Sequence, residues 1–192
     1  MIRVGIVGDI GSGKSHIAKQ FGCPVFNADV EVAKLYKSSK KCFFKLKKIF
    51  PKYIASFPIK KSEISSAAMA SLENIKKISQ IIHPQIRQKM YNFVKKNKKQ
   101  KIIILDIPLI IENKINKKND ILIFVDAKKK EIDKRLKKRS NFNIKIIKRL
   151  KKFQLPLETK RKKSDFVIKN NFKNNSVKKS VKILKQKILL NA

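Results

Sequence analysis

The sequence predicts an α/β fold: a five-stranded parallel sheet flanked by helices, with a helical insertion and a small lid. Three observations predict it. A glycine-rich window, Gly8-Asp9-Ile10-Gly11-Ser12-Gly13-Lys14-Ser15, stands between an apolar run and a helical pattern. Short runs of nearly continuous apolar residues recur along the chain, as strands covered on both faces require. Helical periodicity fills the intervals between them, which calls for right-handed crossovers.

The elements follow in order. Ile2-Arg3-Val4-Gly5-Ile6-Val7 reads as the first strand, and Lys14 to Phe21 as a helix closed by Gly22. Cys23 to Phe26 reads as the second strand and Ile102 to Leu105 as the third. Roughly 75 residues separate these two, far beyond a simple crossover. That interval holds helical patterns alone: Glu31 to Tyr36, Cys42 to Phe50, Ser62 to Ser71, Ile75 to Ile82, and Ile86 to Val94 after an expected break at Pro84. Ile121 to Val125 and Asp165 to Ile168 complete the strands. Between them Glu131 to Arg139 reads as a helix, Ser140-Asn141-Phe142-Asn143 as a break, and Ile144 to Phe153 as a second basic helix. Ser176 to Leu190 is a basic amphipathic helix, read as packing on the core. The expectation is one domain over 1–192, with a nucleotide-binding core of 1–29, 96–138 and 158–192, an insertion over 30–95 and a lid over 139–157.

A chain of 192 residues with 42% hydrophobic content can fill one core. The formal charge of +36 invites a nucleic-acid reading. Yet the lysines spread from Lys34 to Lys187 instead of forming one stripe, so they read as solvated surface, with no specific nucleic-acid site expected. A positive field of this size also draws in anionic nucleotides. Cys23 and Cys42 lack the spacing of a zinc site and read as reduced cytosolic thiols. No apolar stretch is long enough to span a bilayer, and the first strand begins at once, so a cytoplasmic protein without membrane attachment is expected. The oligomeric state is not legible.

The glycine window fits G-x-x-x-x-G-K-[ST], the P-loop. Glycines let backbone N–H groups of Gly11, Ser12, Gly13 and the first helical turn, through His16, approach phosphate oxygens. Lys14 supplies a cation for the β/γ-phosphates, and the Ser15 hydroxyl is a Mg²⁺ ligand. A dinucleotide fingerprint fails, because it needs glycine where His16 stands. By itself the loop leaves motors, GTPases and small-molecule kinases open, although no N-K-x-D guanine signature is present.

The remaining candidates each have two readings. Asp29, in Asn27-Ala28-Asp29, suits a base for an acceptor hydroxyl and equally the N-cap of the next helix. Asp106, ending the third apolar run, suits Mg²⁺ support or a turn ahead of Pro108. Arg135 and Arg139 share a helix face at i, i+4 and suit either a clamp on a transferring phosphoryl group or ordinary surface charge. His83, before Pro84, reads by itself as structural.

Together the motifs resemble those of the dephospho-CoA kinase family, nearly end to end. The loop, with its Ile10-Gly11 pair, is similar to that family's, and so are Ala28-Asp29 and Ile82-His83-Pro84. Asp106-Ile107-Pro108-Leu109-Ile110-Ile111-Glu112 resembles its D-x-P-L-L-x-E stretch. Arg135 and Arg139 match its lid arginines. Gln154-Leu155-Pro156, Lys160 and Ser164-Asp165-Phe166-Val167-Ile168-Lys169-Asn170 match its closing block. The departures are Asp9 in place of a small or neutral residue, Asn27 in place of aspartate, His16 in place of threonine, and Phe172 where glycine is common. Asp9 is expected to point to solvent, and the turn at Phe172 to form differently.

The resemblance implies a P-loop kinase fold and transfer of the ATP γ-phosphoryl group to the ribose 3′-hydroxyl of dephospho-CoA, giving coenzyme A and ADP. It implies Lys14, Asp29 and Arg139 as catalytic. Gly11, Ser12, Gly13, Lys14, Ser15, His16 and Arg135 would bind ATP. Asp29, His83, Pro108 and Leu109 would bind substrate, and Ser15 and Asp106 would hold Mg²⁺. The rivals are another small-molecule kinase, such as one for nucleoside monophosphates, and a basic nucleic-acid-binding P-loop ATPase.

Overall fold

The computed structural model describes residues 1–138 and 142–190. Among them five strands form one parallel sheet of order β2-β3-β1-β4-β5, with β1 (Ile2–Gly8), β2 (Val25–Asn27), β3 (Ile102–Asp106), β4 (Ile121–Asp126) and β5 (Phe166–Lys169). Each strand forms where the apolar runs predict it. The central pairings are long because Val4 to Gly8 meet Ile121 to Val125 without interruption. Every residue of β3 is buried, as a strand covered on both faces should be.

Two compact units divide the chain. The first comprises Met1–Asn27 and Asn97–Ala192. One face of its sheet carries Val4, Ile6, Ile102, Ile104, Ile123, Val125 and Ile168. Against that face pack α1 (Lys14–Gln20), through Ile17 and Ala18, and the last helix, α9 (Asn174–Leu190), through Val177, Val181, Leu184 and Ile188. The stripe 177, 181, 184, 188 is a helical period, so α9 is a core helix, as its pattern predicts. Gly22 at φ +59 follows α1 in the left-handed conformation that closes helices. The excursion between β4 and β5 holds α6 (Lys129–Lys137), α7 (Ile144–Lys151) and α8 (Leu157–Lys162). Asn143 opens α7 by accepting bonds from Lys145 N–H and Ile146 N–H. Six-residue α8 was not expected from the sequence; its charged stretch shows no apolar period, and its burial rests on Lys160. Arg139 and the break at Ser140-Asn141 lie outside the described residues.

The second unit, Ala28–Lys96, is helical: α2 (Ala28–Ser38), α3 (Lys40–Ile49), α4 (Lys61–Ala70) and α5 (Leu72–Lys96). Ser39 caps α3 by accepting from Cys42 N–H. Glu63 fastens the start of α4, accepting from Lys60, Ala55 and Ser56 N–H. One of two open readings and one expectation fail here. Asp29 is not an N-cap, because α2 begins at Ala28 and Asp29 lies inside its first turn. The break at Pro84 does not occur either; α5 runs through it for 25 residues. Proline costs a helix one hydrogen bond and some steric strain. Buried Ile78, Ile82 and Ile86, at i, i+4, i+8, span both sides of the proline and hold the helix together.

His83 is thus mid-helix and half-buried. Burial, and secondarily the Arg87 cation, hold its pKa below the ordinary 6.5. The unfolded chain therefore takes up this proton first. Stability from the neutral ring is full above about pH 6.5 and is lost as the pH falls through that value toward the folded-state pKa. Melting temperature measured from roughly pH 7.5 to 5.5 should decline less steeply in His83→Gln than in the parent. Parallel curves would assign the acid sensitivity elsewhere.

Candidate active site

The site grows from the loop between β1 and α1. Gly8, Gly11 and Gly13 all have positive φ, and at Gly13 a Cβ would stand 2.3 Å from Asn170 Nδ2. Only glycine fits there. Gly13 is also the N-cap of α1 and gives it no side-chain cap, and the N-terminus of a helix favours an anion. Lys14 Nζ curls back and donates to Asp9 O at 2.7 Å and Gly8 O at 3.3 Å. Asn170, buried at the end of β5, donates to Ser12 O at 2.8 Å and accepts from Phe172 N–H at 2.9 Å. One side chain so ties the fifth strand to the loop.

The turn after β5 forms with Phe172 at φ +60, the left-handed conformation that glycine favours. This conformation costs a residue with a Cβ about 1 kcal/mol or more. The Asn170 bond and the Arg135 guanidinium, 4.5 Å from the Phe172 ring centroid, offset it. Asp9 does not point to solvent. It is buried, accepts from Ile10 N–H at 2.7 Å and pairs with Lys151 of α7 at 3.1 Å.

Parallel pairing sets Asn27 of β2 beside Asp106 of β3. The Asn27 amide donates to the Asp106 carboxylate and, at 3.4 Å, to Ser15 Oγ. Two oxygen donors, a hydroxyl and a buried carboxylate, are thus joined through one amide. An aspartate at 27 would face Asp106 with a like charge, so this departure from the family pattern suits the pair. After β3, Pro108 and Leu109 border a small cavity of about 10 Å³ together with Gly8, Lys14, Gln154 and Lys160. Lys160, almost wholly buried, pairs with Glu112 at 2.8 Å, and Glu112 also accepts from Leu155 N–H at 3.0 Å.

The first unit therefore brings together Gly11, Ser12, Gly13, Lys14, Ser15, Asp106, Pro108, Leu109 and Arg135, with His16 half-exposed in the first turn of α1. Asp29 and His83 belong to the second unit. The bonding roles of Asn27, Asn170, Lys151 and Lys160 escaped the residue-by-residue reading. Their partners lie far away in the chain; a place in a family motif or departure marked Asn27, Asn170 and Lys160, and no signal of its own marked Lys151.

A glycine loop curled around its own lysine at the C-terminal end of a 2-3-1-4-5 parallel sheet defines the class of P-loop kinases. A family model described as dephospho-CoA kinase matches residues 2–176. The dephospho-CoA kinase of Wolbachia pipientis wMel is 32% identical over 193 residues, covering 98% of this chain and 98% of that protein. The chain belongs to the dephospho-CoA kinase family. In fold it is similar to a crystal structure from Thermus thermophilus, with a TM-score of 0.76, 24% identity and 97% of each chain covered. It is also similar to a dephospho-CoA kinase from Campylobacter jejuni, with a TM-score of 0.62, 23% identity, and 97% of this chain and 96% of that one covered. Its activity is ATP-dependent phosphorylation of dephospho-CoA, in the synthesis of coenzyme A. Among the described residues no helix is long and apolar enough to cross a membrane.

Proposed function

We propose that the γ-phosphoryl group goes to the ribose 3′-hydroxyl of dephospho-CoA and that the residues divide the work as follows. The N–H groups of Gly11, Ser12, Gly13, Lys14, Ser15 and His16 cradle the ATP phosphates, and Lys14 leaves the loop carbonyls to meet the β/γ-oxygens. Asp29 takes the proton from the acceptor hydroxyl. That oxygen bonds to the γ-phosphorus as the bond to the bridging oxygen breaks, and ADP leaves with the electron pair. Arg139, with Arg135, offsets charge on the transferring group. His83, Pro108 and Leu109 bind dephospho-CoA; 30–95 is its binding segment and 139–157 a lid that excludes water.

Ser15 and Asp106 would hold Mg²⁺. The donor set fits, because Mg²⁺ takes hard oxygens, usually one or two from protein, with phosphates and water supplying the rest. Bound there, the ion would neutralise phosphate charge. The observation that carries this reading is the joining of Ser15 Oγ and Asp106 through Asn27 beside the Lys14 loop. We place the protein in the cytoplasm and read its charge as surface with no specific polynucleotide site.

Incubation with ATP, Mg²⁺ and a panel of acceptors, followed by mass measurement, tests the reading. One added phosphoryl group on dephospho-CoA, at the 3′ position, is expected. Phosphorylation of nucleoside monophosphates instead, or ATP hydrolysis that needs DNA, would count against it. Arg135→Ala should raise the KM for ATP about tenfold, with a smaller change in kcat, since a cationic face is lost from the nucleotide side. A fall in kcat at unchanged KM would give Arg135 the role assigned to Arg139.

A further inference from the structure

The phosphate loop carries a carboxylate of its own, which is electrostatically at odds with binding a triphosphate. Asp9 sits between Gly8 and Ile10, with its side chain only 12% exposed. Its Oδ1 accepts from Ile10 N–H at 2.7 Å, and its Oδ2 meets Lys151 Nζ at 3.1 Å across 142 positions of sequence. The Lys14 ammonium lies on the Asp9 carbonyl, so the loop's working cation stands close to this acid. The pair is asymmetric. Lys151 is 45% exposed and keeps water when the pair breaks, whereas the Asp9 carboxylate has little access to water. A buried charge that loses its partner is costly, and its field reaches farther than that of a hydrated charge. Asp9 therefore depends on Lys151 far more than Lys151 depends on Asp9.

We propose that Lys151 is the counter-ion that makes the Asp9-bearing loop able to take ATP: a positioning residue that holds the carboxylate toward α7 and offsets its charge. The inference rests on the reading of this loop as the ATP site. It predicts that removing Lys151 weakens nucleotide binding through Asp9, and that removing Asp9 as well repairs the loss. A lysine that touched phosphate directly would give no such repair.

The test is calorimetric titration with ADP, which requires no acceptor and no turnover, on the parent protein, Lys151→Met, Asp9→Asn and the double variant. Lys151→Met should weaken ADP binding about five- to tenfold, the effect shrinking at high salt. Asp9→Asn alone should bind ADP at least as tightly as the parent. The double variant should return to within about twofold of the parent, a non-additivity expected only for coupled residues. Unaltered binding in Lys151→Met, or a double variant as weak as Lys151→Met, overturns the proposal. Should Lys151→Met fail to fold, Asp9→Asn decides alone: a weakened ADP affinity there overturns the proposal, and a maintained or tighter one supports it. A parent protein that does not bind ADP would instead sink the reading of the loop itself.

Discussion

Replacing Lys14 with alanine is expected to lower phosphoryl transfer by about a hundred- to a thousandfold while leaving the protein folded. The magnitude is that of removing one preorganised group from a developing charge. The side chain is half-exposed and takes no part in the core formed by α1, whose buried residues are Ile17 and Ala18. Its visible bonds go to the carbonyls of Gly8 and Asp9. Losing them costs folding about 1 kcal/mol in net hydrogen bonding. Positive charge near the phosphates, by contrast, has no substitute in the loop, where Lys14 is the one cationic side chain from Gly8 to Ser15. Coenzyme A formation and a circular-dichroism melt on the same preparation separate the two effects. A folded variant with nearly parental turnover would remove Lys14 from the mechanism.

The sheet was legible in the sequence because a strand covered on both faces must be nearly continuous in apolar residues, and β1, β3 and β4 are, apart from Arg3 and the closing Asp106 and Asp126. The loop was legible because its function demands glycines at fixed spacing in a chain that otherwise has almost none. Single-residue rules failed at four positions. Pro84 marks a helix end by local propensity, yet the buried stripe Ile78, Ile82, Ile86 carries α5 through it. Asp29 has the chemistry of a cap, yet the chain turns helical one residue earlier, at Ala28. Phe172 lacks the freedom of glycine, yet a bond from its N–H to Asn170 and the Arg135 face keep it left-handed. Asp9 looked like a solvent-facing departure because its partner, Lys151, lies in another helix. For Asp9 and Phe172 a deciding group, Lys151 or Arg135, is distant in sequence, so no window of neighbouring residues contains it; at Pro84 and Asp29 the neighbours themselves outweigh the propensity of one residue.

Asp29→Asn is expected to slow the reaction by about a hundredfold or more, the scale of general-base help, with ADP binding maintained. The substitution is nearly isosteric and keeps hydrogen-bonding capacity, so what it removes is the ability to hold a proton. Asp29 also stands in the first turn of α2, where a carboxylate is favoured by the helix dipole. That contribution is worth about 0.3–1 kcal/mol and would appear as a slightly lower melting temperature. The two roles therefore predict different readouts from one variant. A base predicts a large fall in kcat, whatever the melt shows. A helix-terminus charge predicts a small shift in melting and a parental rate. Nucleotide binding serves as the control, since Gly11 to Ser15 and the Asn170 tie that shapes the loop all belong to the first unit, and Asp29 to the second. Single-turnover kinetics with dephospho-CoA, run beside an ADP titration and a thermal melt, give all three quantities. A parental single-turnover rate would leave Asp29 as a charge on a helix end and pass the proton to another group or to water.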